Sequence, residues 1–291
     1  MKSFCIKTNN EIILDYLLER IKKIDFEDLI YSKNKFKTYK NIIIHFKGAD
    51  EHQYNIFLKE LIQDVILKFY EEKIIKRTIL FNYFYFEESE REQIYNCCIE
   101  IMREDEFKIK EKNKTYENKE NILNKEISRY LCEADAMLLE GFVTFRLKKY
   151  FSYLDNIIDI AVNKYIVEKE YREFIELLRT YVDNSISKKD LVHLIYKNNE
   201  AILLDNNKNL IDVSTNLLKN KVLSDISFST NDYVLNTLLS IIPKKIEIHI
   251  IDVEDEFIDT IKGIFRNKVS ICKDCNICKT YKMLNNVKIR K

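Results

Sequence analysis

The chain has 291 residues, 46% of them hydrophobic, and is nearly neutral, with 48 Lys and Arg against 47 Asp and Glu. This suffices for one large domain or two smaller ones, and it excludes a uniformly basic nucleic-acid coat or an acidic solvating chain. Gly48, Gly141 and Gly263 lie far apart and there is a single proline, so no glycine-rich phosphate loop, dinucleotide turn or nucleophile elbow can be assembled.

In chain order, residues 3–8 read as a strand. Asn10 can then cap a helix whose apolar face is Ile13, Leu14, Leu17, Leu18, Ile21 and Ile24. Residues 36–46 are strand-like and end at Gly48. Asp50 with Gln53 suggests the cap of a further helix carrying Ile56, Phe57, Leu61, Val65, Leu67 and Phe69. Residues 78–86 are aromatic and fit a helix continuation or a short strand, and residues 89–92 open a helix through Met102. The stretch from Arg103 to Glu120 is almost wholly polar and mixed in charge, which suits a solvated linker. The implied division is an N-terminal α+β region over 1–104, a charged linker over 105–120, and a helical plus C-terminal α/β domain over 121–291.

Residues 121–184 are strongly helical, and no Pro or Gly interrupts them after Phe142. One unbroken helix from there would be ~64 Å long, so at least one bend is expected, giving a hairpin or bundle. Residues 187–190 can open a short helix. Residues 200–205 and 210–213 flank Asn206-Asn207-Lys208-Asn209 and read as a β-hairpin. Thr230 or Asn231 caps a helix that Pro243 stops. Residues 246–251, 254–265 and 268–272 read as strand, helix and strand, a crossover that makes the two strands parallel. The fold class is α+β, mostly helical.

The N-terminus lacks the apolar core of a signal peptide, and no apolar run approaches the ~18–20 residues that span a bilayer. Seven cysteines in that context point to reduced thiols and a cytoplasmic protein.

Three segments in order carry a resemblance. They are GFVTFRLKKY at 141–150, VEKEYREFIELLR at 167–179, and the stretch from Ile241-Ile242-Pro243-Lys244-Lys245 to Cys272-Lys273-Asp274-Cys275-Asn276-Ile277-Cys278. Over about residues 87–278 the chain resembles the YtxC-like sporulation proteins of endospore-forming bacteria. The resemblance implies association with spore formation and contacts with other proteins of that programme. It implies no catalytic residue.

Chemistry concentrates at Cys272, Cys275 and Cys278, spaced C-x2-C-x2-C, which lets thiolates converge on one metal or cluster from a turn. His249 on the neighbouring strand, or Cys5, could supply a fourth ligand, for zinc or an Fe–S group. A ferredoxin-type run would need a cysteine at 282, which is Lys282, and no second CxxC pair completes a zinc ribbon. Without a ligand the three would be small residues in a surface turn. Lys273 and Lys279 beside them would favour thiolates. Cys97, Cys98 and Cys132 fall on helix faces as core fillers.

Arg146 sits among Phe142, Val143, Phe145 and Leu147. If buried, it needs a carboxylate or anion, as a structural ion pair or an anion-binding group. Residues 266–291 carry a net charge of +7, enough to dock nucleic acid or an anionic surface, although Tyr281 is the only aromatic there for base stacking. Neither HExxH nor a nucleophile–histidine arrangement is present. The expectation is a non-enzymatic cytoplasmic accessory protein of sporulation, with a thiolate metal or redox module, or nucleic-acid binding through the basic tail, as alternatives.

Overall fold

A computed structural model describes residues 2–23, 28–36, 39–103, 119–212 and 229–288. Two compact units divide the chain, Met1–Val167 and Glu168–Lys291.

The first unit opens with β1 (Lys2–Thr8), α1 (Glu11–Lys22), β2 (Leu29–Phe36), β3 (Tyr39–Phe46), α2 (Glu51–Phe69), α3 (Glu71–Asn82) and α4 (Glu88–Arg103). It continues with α5 (Lys119–Glu133), β4 (Ala136–Leu138), α6 (Leu139–Arg146) and the beginning of α7 (Lys148–Asn184). The sheet order is β2-β3-β1-β4, with β3 antiparallel to both neighbours and β4 parallel to β1. Strand β1 alternates, so Phe4, Ile6 and Thr8 are buried, and β3 buries Ile42, Ile44 and Phe46. Against them pack Ile13, Leu14 and Leu17 of α1 and Leu58, Leu61, Ile62 and Val65 of α2. Asn10 and Asp50 cap their helices as the sequence suggests, each side chain accepting from backbone N–H groups two or three residues on. Ile24 lies outside the described residues.

The second unit contains the end of α7, then β5 (Lys189–Lys197), β6 (Glu200–Asp205), α8 (Thr230–Ile241), β7 (Pro243–Ile250), α9 (Glu256–Phe265), a 3-10 turn (Arg266–Lys268), β8 (Val269–Ile271) and α10 (Asn276–Lys288). Its sheet runs β6-β5-β7-β8. Strands β5, β7 and β8 are parallel and β6 is antiparallel to β5. One face buries Val192, Leu194 and Tyr196 of β5 with Ile246 and Ile248 of β7 against α8, α9 and Ile175 and Val182 of α7. The other face is much poorer, with Ile195, Leu204 and Ile251 meeting Ile277 and Cys278 of α10.

The mostly helical α+β class and the parallel β7–α9–β8 crossover are as expected, and several details are corrected. Residues 187–190 do not open a helix but lead into β5, because 191–196 alternate toward two buried faces. The main hairpin turns at Asn198 and Asn199, whose φ values of 51° and 61° suit a tight primed turn that asparagine tolerates. The expected turn at 206–209 also forms. Asp205 accepts from the N–H groups of Asn207 and Asn209, but the return run pairs only through Leu210 with Leu204. Val213 lies outside the described residues. The cap of α8 is Ser229, in a reciprocal pair with Asp232, rather than Thr230 or Asn231.

No helical hairpin forms over 142–184. The break falls at Leu147, after which α7 runs uninterrupted for 37 residues. Its length is sustained because two cores share it: Tyr150, Leu154, Ile158 and Ala161 belong to the first and Ile175 and Val182 to the second. The chain thus divides within α7, whereas the sequence reading placed a linker at 105–120, of which 105–118 lie outside the described residues. Residues 119–167 join the N-terminal sheet through β4, because Cys5, Ile6 and Lys7 pair with Ala136, Met137 and Leu138.

Candidate metal centre

Strand alternation places Glu247, His249 and Ile251 of the β7 segment on the poor face of the second sheet. His193 and Ile195 of β5 lie beside them, since the register sets His193 opposite Glu247 and Ile195 opposite His249. Beyond β8 the ladder extends one residue, as the Cys272 N–H donates to Ile248 O at 2.8 Å. That bond carries Cys272 to the level of His249. A short turn then sets Cys275 immediately before α10 and Cys278 in its first turn, and the Lys279 N–H donates to Cys275 O.

The C-x2-C-x2-C spacing therefore closes on the histidine. One ligand atom from each of His249, Cys272, Cys275 and Cys278 lies within 4.8 Å of every other. His249 Nδ1 is 3.4 Å from Cys278 Sγ and 3.5 Å from Cys275 Sγ. The Sγ of Cys278 is 4.0 Å from that of Cys275 and 3.8 Å from that of Cys272. A tetrahedral zinc ion with Zn–S ~2.3 Å and Zn–N ~2.0–2.1 Å requires S···S of ~3.8 Å and S···N of ~3.5 Å. His249 is fully buried, Cys278 is buried, and the other two cysteines are half-buried.

The protonation states are uneven. Burial pushes the Cys272 thiol up to about 12, reinforced by its thiol contacts with Cys275 and Cys278. At Cys275 burial also acts upward, but the backbone N–H of Cys278 and the Cys272 thiol outweigh it, and the thiol sits below its ordinary value. Burial, followed by the neighbouring His193, holds His249 below its usual range against the opposing pull of Glu247, which favours the neutral ring that ligation requires.

Behind His249 stands a group that the sequence reading did not find. His193 Nδ1 is 3.0 Å from His249 Nε2 and 3.2 Å from Glu247 Oε2. With a metal on Nδ1 the ring proton would sit on Nε2, within reach of His193 Nδ1 as acceptor. Such partners fix the tautomer and ring orientation of a ligating histidine. Their signal lies in register: once β5 pairs in parallel with β7, His193 and Glu247 must share a face with His249. If the cluster holds a metal ion, replacing His193 by Ala is expected to weaken its binding about 10–100-fold, measured by competition with a chromophoric chelator, with the stoichiometry at saturation unchanged.

The remaining candidates fall elsewhere. Cys5 lies on β1, in the first unit. Arg146 is not buried. Its side chain is 59% exposed, 3.8 Å from Glu133 Oε2 and over the ring of Tyr130, so it forms a surface ion pair in the last turn of α6. Cys98 is a core filler, its thiol pushed up to about 12 by burial, and Cys97 packs half-buried, but Cys132 is exposed. In the basic tail Lys282 pairs with Asp274 at 3.6 Å, and residues 289–291 lie outside the described residues.

Fold and site thus define a mostly helical α+β protein with a thiol–imidazole cluster on its second sheet. The model of the YtxC-like family matches residues 56–270, and the chain belongs to that family. Among curated proteins it is similar to the "Uncharacterized protein YtxC" of Bacillus subtilis (strain 168), with 22% identity over 222 residues, covering 74% of this chain and 77% of the relative. No solved structure matches. The family match takes in His193, Glu247 and His249 and ends just before Cys272. No helix among the described residues is long and apolar enough to cross a membrane.

Proposed function

We propose that the second unit is built around one tetrahedral zinc ion held by Cys272, Cys275, Cys278 and His249, and that the ion is structural. The observation that carries this reading is the set of four ligand atoms within 4.8 Å, at separations expected for a single metal. Four protein ligands complete the tetrahedron and leave no open position for water or substrate, in keeping with a non-enzymatic role. Iron–sulfur clusters spread their ligands over several irons, so this tight grouping favours one ion.

The physical need lies in the sheet's poor face. Ile195, Leu204, Ile251 and Ile277 supply few apolar contacts to hold α10, and a metal compensates where a core is small. The site would staple α10 and the basic segment to β7. The family resemblance to sporulation proteins supports a place in that programme through contacts with other proteins. Seven free thiols suit a reducing cytoplasm. Cobalt(II) titration of reduced, metal-stripped protein tests the centre. A tetrahedral thiolate spectrum saturating at one equivalent, and reversed by zinc, is expected. A weak octahedral spectrum would refute the proposal.

A further inference from the structure

The three sulfurs of the cluster are not equivalent. Cys278 is buried, and its Sγ lies 4.0 Å from that of Cys275 and 3.8 Å from that of Cys272. Cys272 and Cys275 are half-buried, so solvent reaches the cluster from their side. A disulfide brings its sulfurs to ~2.05 Å, and distance alone does not choose between the two pairs.

The backbone does choose. Cys272 is fixed by the sheet, because its N–H donates to Ile248 O at 2.8 Å. Cys275 and Cys278 share one element, the start of α10, three residues apart. Helical geometry sets such Cα atoms about 5 Å apart, inside the ~4.4–6.8 Å that a disulfide spans. The Cys275 sulfur accepts from the backbone N–H groups of Cys278 and Ile277, which turns it toward its partner in the helix. This pair can therefore close by side-chain rotation, with no movement of the sheet.

We propose, resting on the zinc reading above, that Cys275 and Cys278 are a peroxide-responsive pair whose oxidation to a disulfide expels the zinc and frees α10 from the sheet. The solvent-reached Cys275 thiolate attacks one oxygen of the peroxide. An S–O bond forms, the O–O bond breaks and hydroxide leaves, giving a sulfenic acid. The Cys278 thiolate then attacks that sulfur, an S–S bond forms, the S–O bond breaks and a second hydroxide leaves. The two sulfurs lose two electrons and the peroxide gains them. Cys272 and His249 remain, two ligands where a closed structural site uses four, so the ion departs to water. The new bond lies within α10 and does not replace the lost link to β7. A disulfide between Cys272 and Cys278 would instead keep the helix docked.

The full chain tests this. Its zinc content is measured, and the zinc-loaded protein is treated with hydrogen peroxide, denatured, alkylated and digested with trypsin. Cleavage after Lys268, Lys273 and Lys279 puts Cys272 on the peptide 269–273 and both Cys275 and Cys278 on the peptide 274–279. One zinc released per chain is expected, with peptide 274–279 unalkylated and lighter by two hydrogens, and with Cys272 alkylated. A dithiol reductant should restore both the thiols and the zinc. A chain that keeps its zinc and both thiols while the exposed Cys132 is oxidised would overturn the switch and leave the metal centre standing. A cross-link between the two peptides, or sulfinic acid in place of the disulfide, would overturn it as well. A chain that takes up no zinc at all would refute the centre itself, and the switch with it.

Discussion

Cys278→Ser is expected to abolish stoichiometric zinc binding and to release α10 from the second sheet. Structural zinc in small sites contributes an apparent ~10–16 kcal/mol at neutral pH, comparable to the whole stability of a domain, ~5–15 kcal/mol. Serine keeps the volume but offers a hydroxyl that is not a thiolate at neutral pH. Cys278 is also the most buried of the three cysteines and packs with Ile195, Leu204, Ile251 and Ile277. The loss therefore removes a ligand and the centre of a small apolar cluster together. Hydrogen exchange should show residues 269–283 losing protection in the variant, and the same residues losing it in native protein treated with a chelator. The amides of β1 and β3, in the other unit, should be unchanged. Full protection of α10 in metal-stripped native protein would contradict the stapling role.

The second large effect lies in the first unit. Tyr54 of α2 is fully buried, stacked on Phe46 with centroids 5.2 Å apart and an interplanar angle of 7°, and its hydroxyl donates to Ile44 O at 2.8 Å. It ties α2 to β3, an inner strand of the sheet, by packing and by a hydrogen bond at once. Tyr54→Ala should cost ~3–5 kcal/mol of unfolding free energy, because the cavity beneath the helix cannot fully collapse. Tyr54→Phe should cost only ~1 kcal/mol, the net worth of one hydrogen bond. Denaturant titration separates the two. A cost below ~1 kcal/mol for the alanine variant would show that α2 is not anchored there.

Much of this architecture is visible in local pattern. The caps at Asn10 and Asp50, the stop at Pro243 and the β7–α9–β8 crossover each follow from a few neighbouring residues whose side-chain chemistry has one good use. The cluster is half visible. The C-x2-C-x2-C spacing is local, and His249 enters once a parallel crossover puts Cys272 beside it. His193 and Glu247 stay hidden, because their place depends on β5, and β5 depends on a turn at Asn198-Asn199. That turn competes in sequence with the equally good signal at 206–209. Nonlocal pairing also decides β4, three residues that attach to β1 from more than a hundred positions away. The long α7 misleads for a related reason. A helix exposed on its own has to fold back, but one packed by separate cores at its two ends does not.

Native mass spectrometry of the untagged chain, prepared under reducing conditions, tests the central claim most directly. One zinc per native chain is expected, with none retained by Cys278→Ser. A native chain that is metal-free, that takes up no zinc on addition, and whose Cys272, Cys275 and Cys278 alkylate as readily in its presence as in its absence would contradict it.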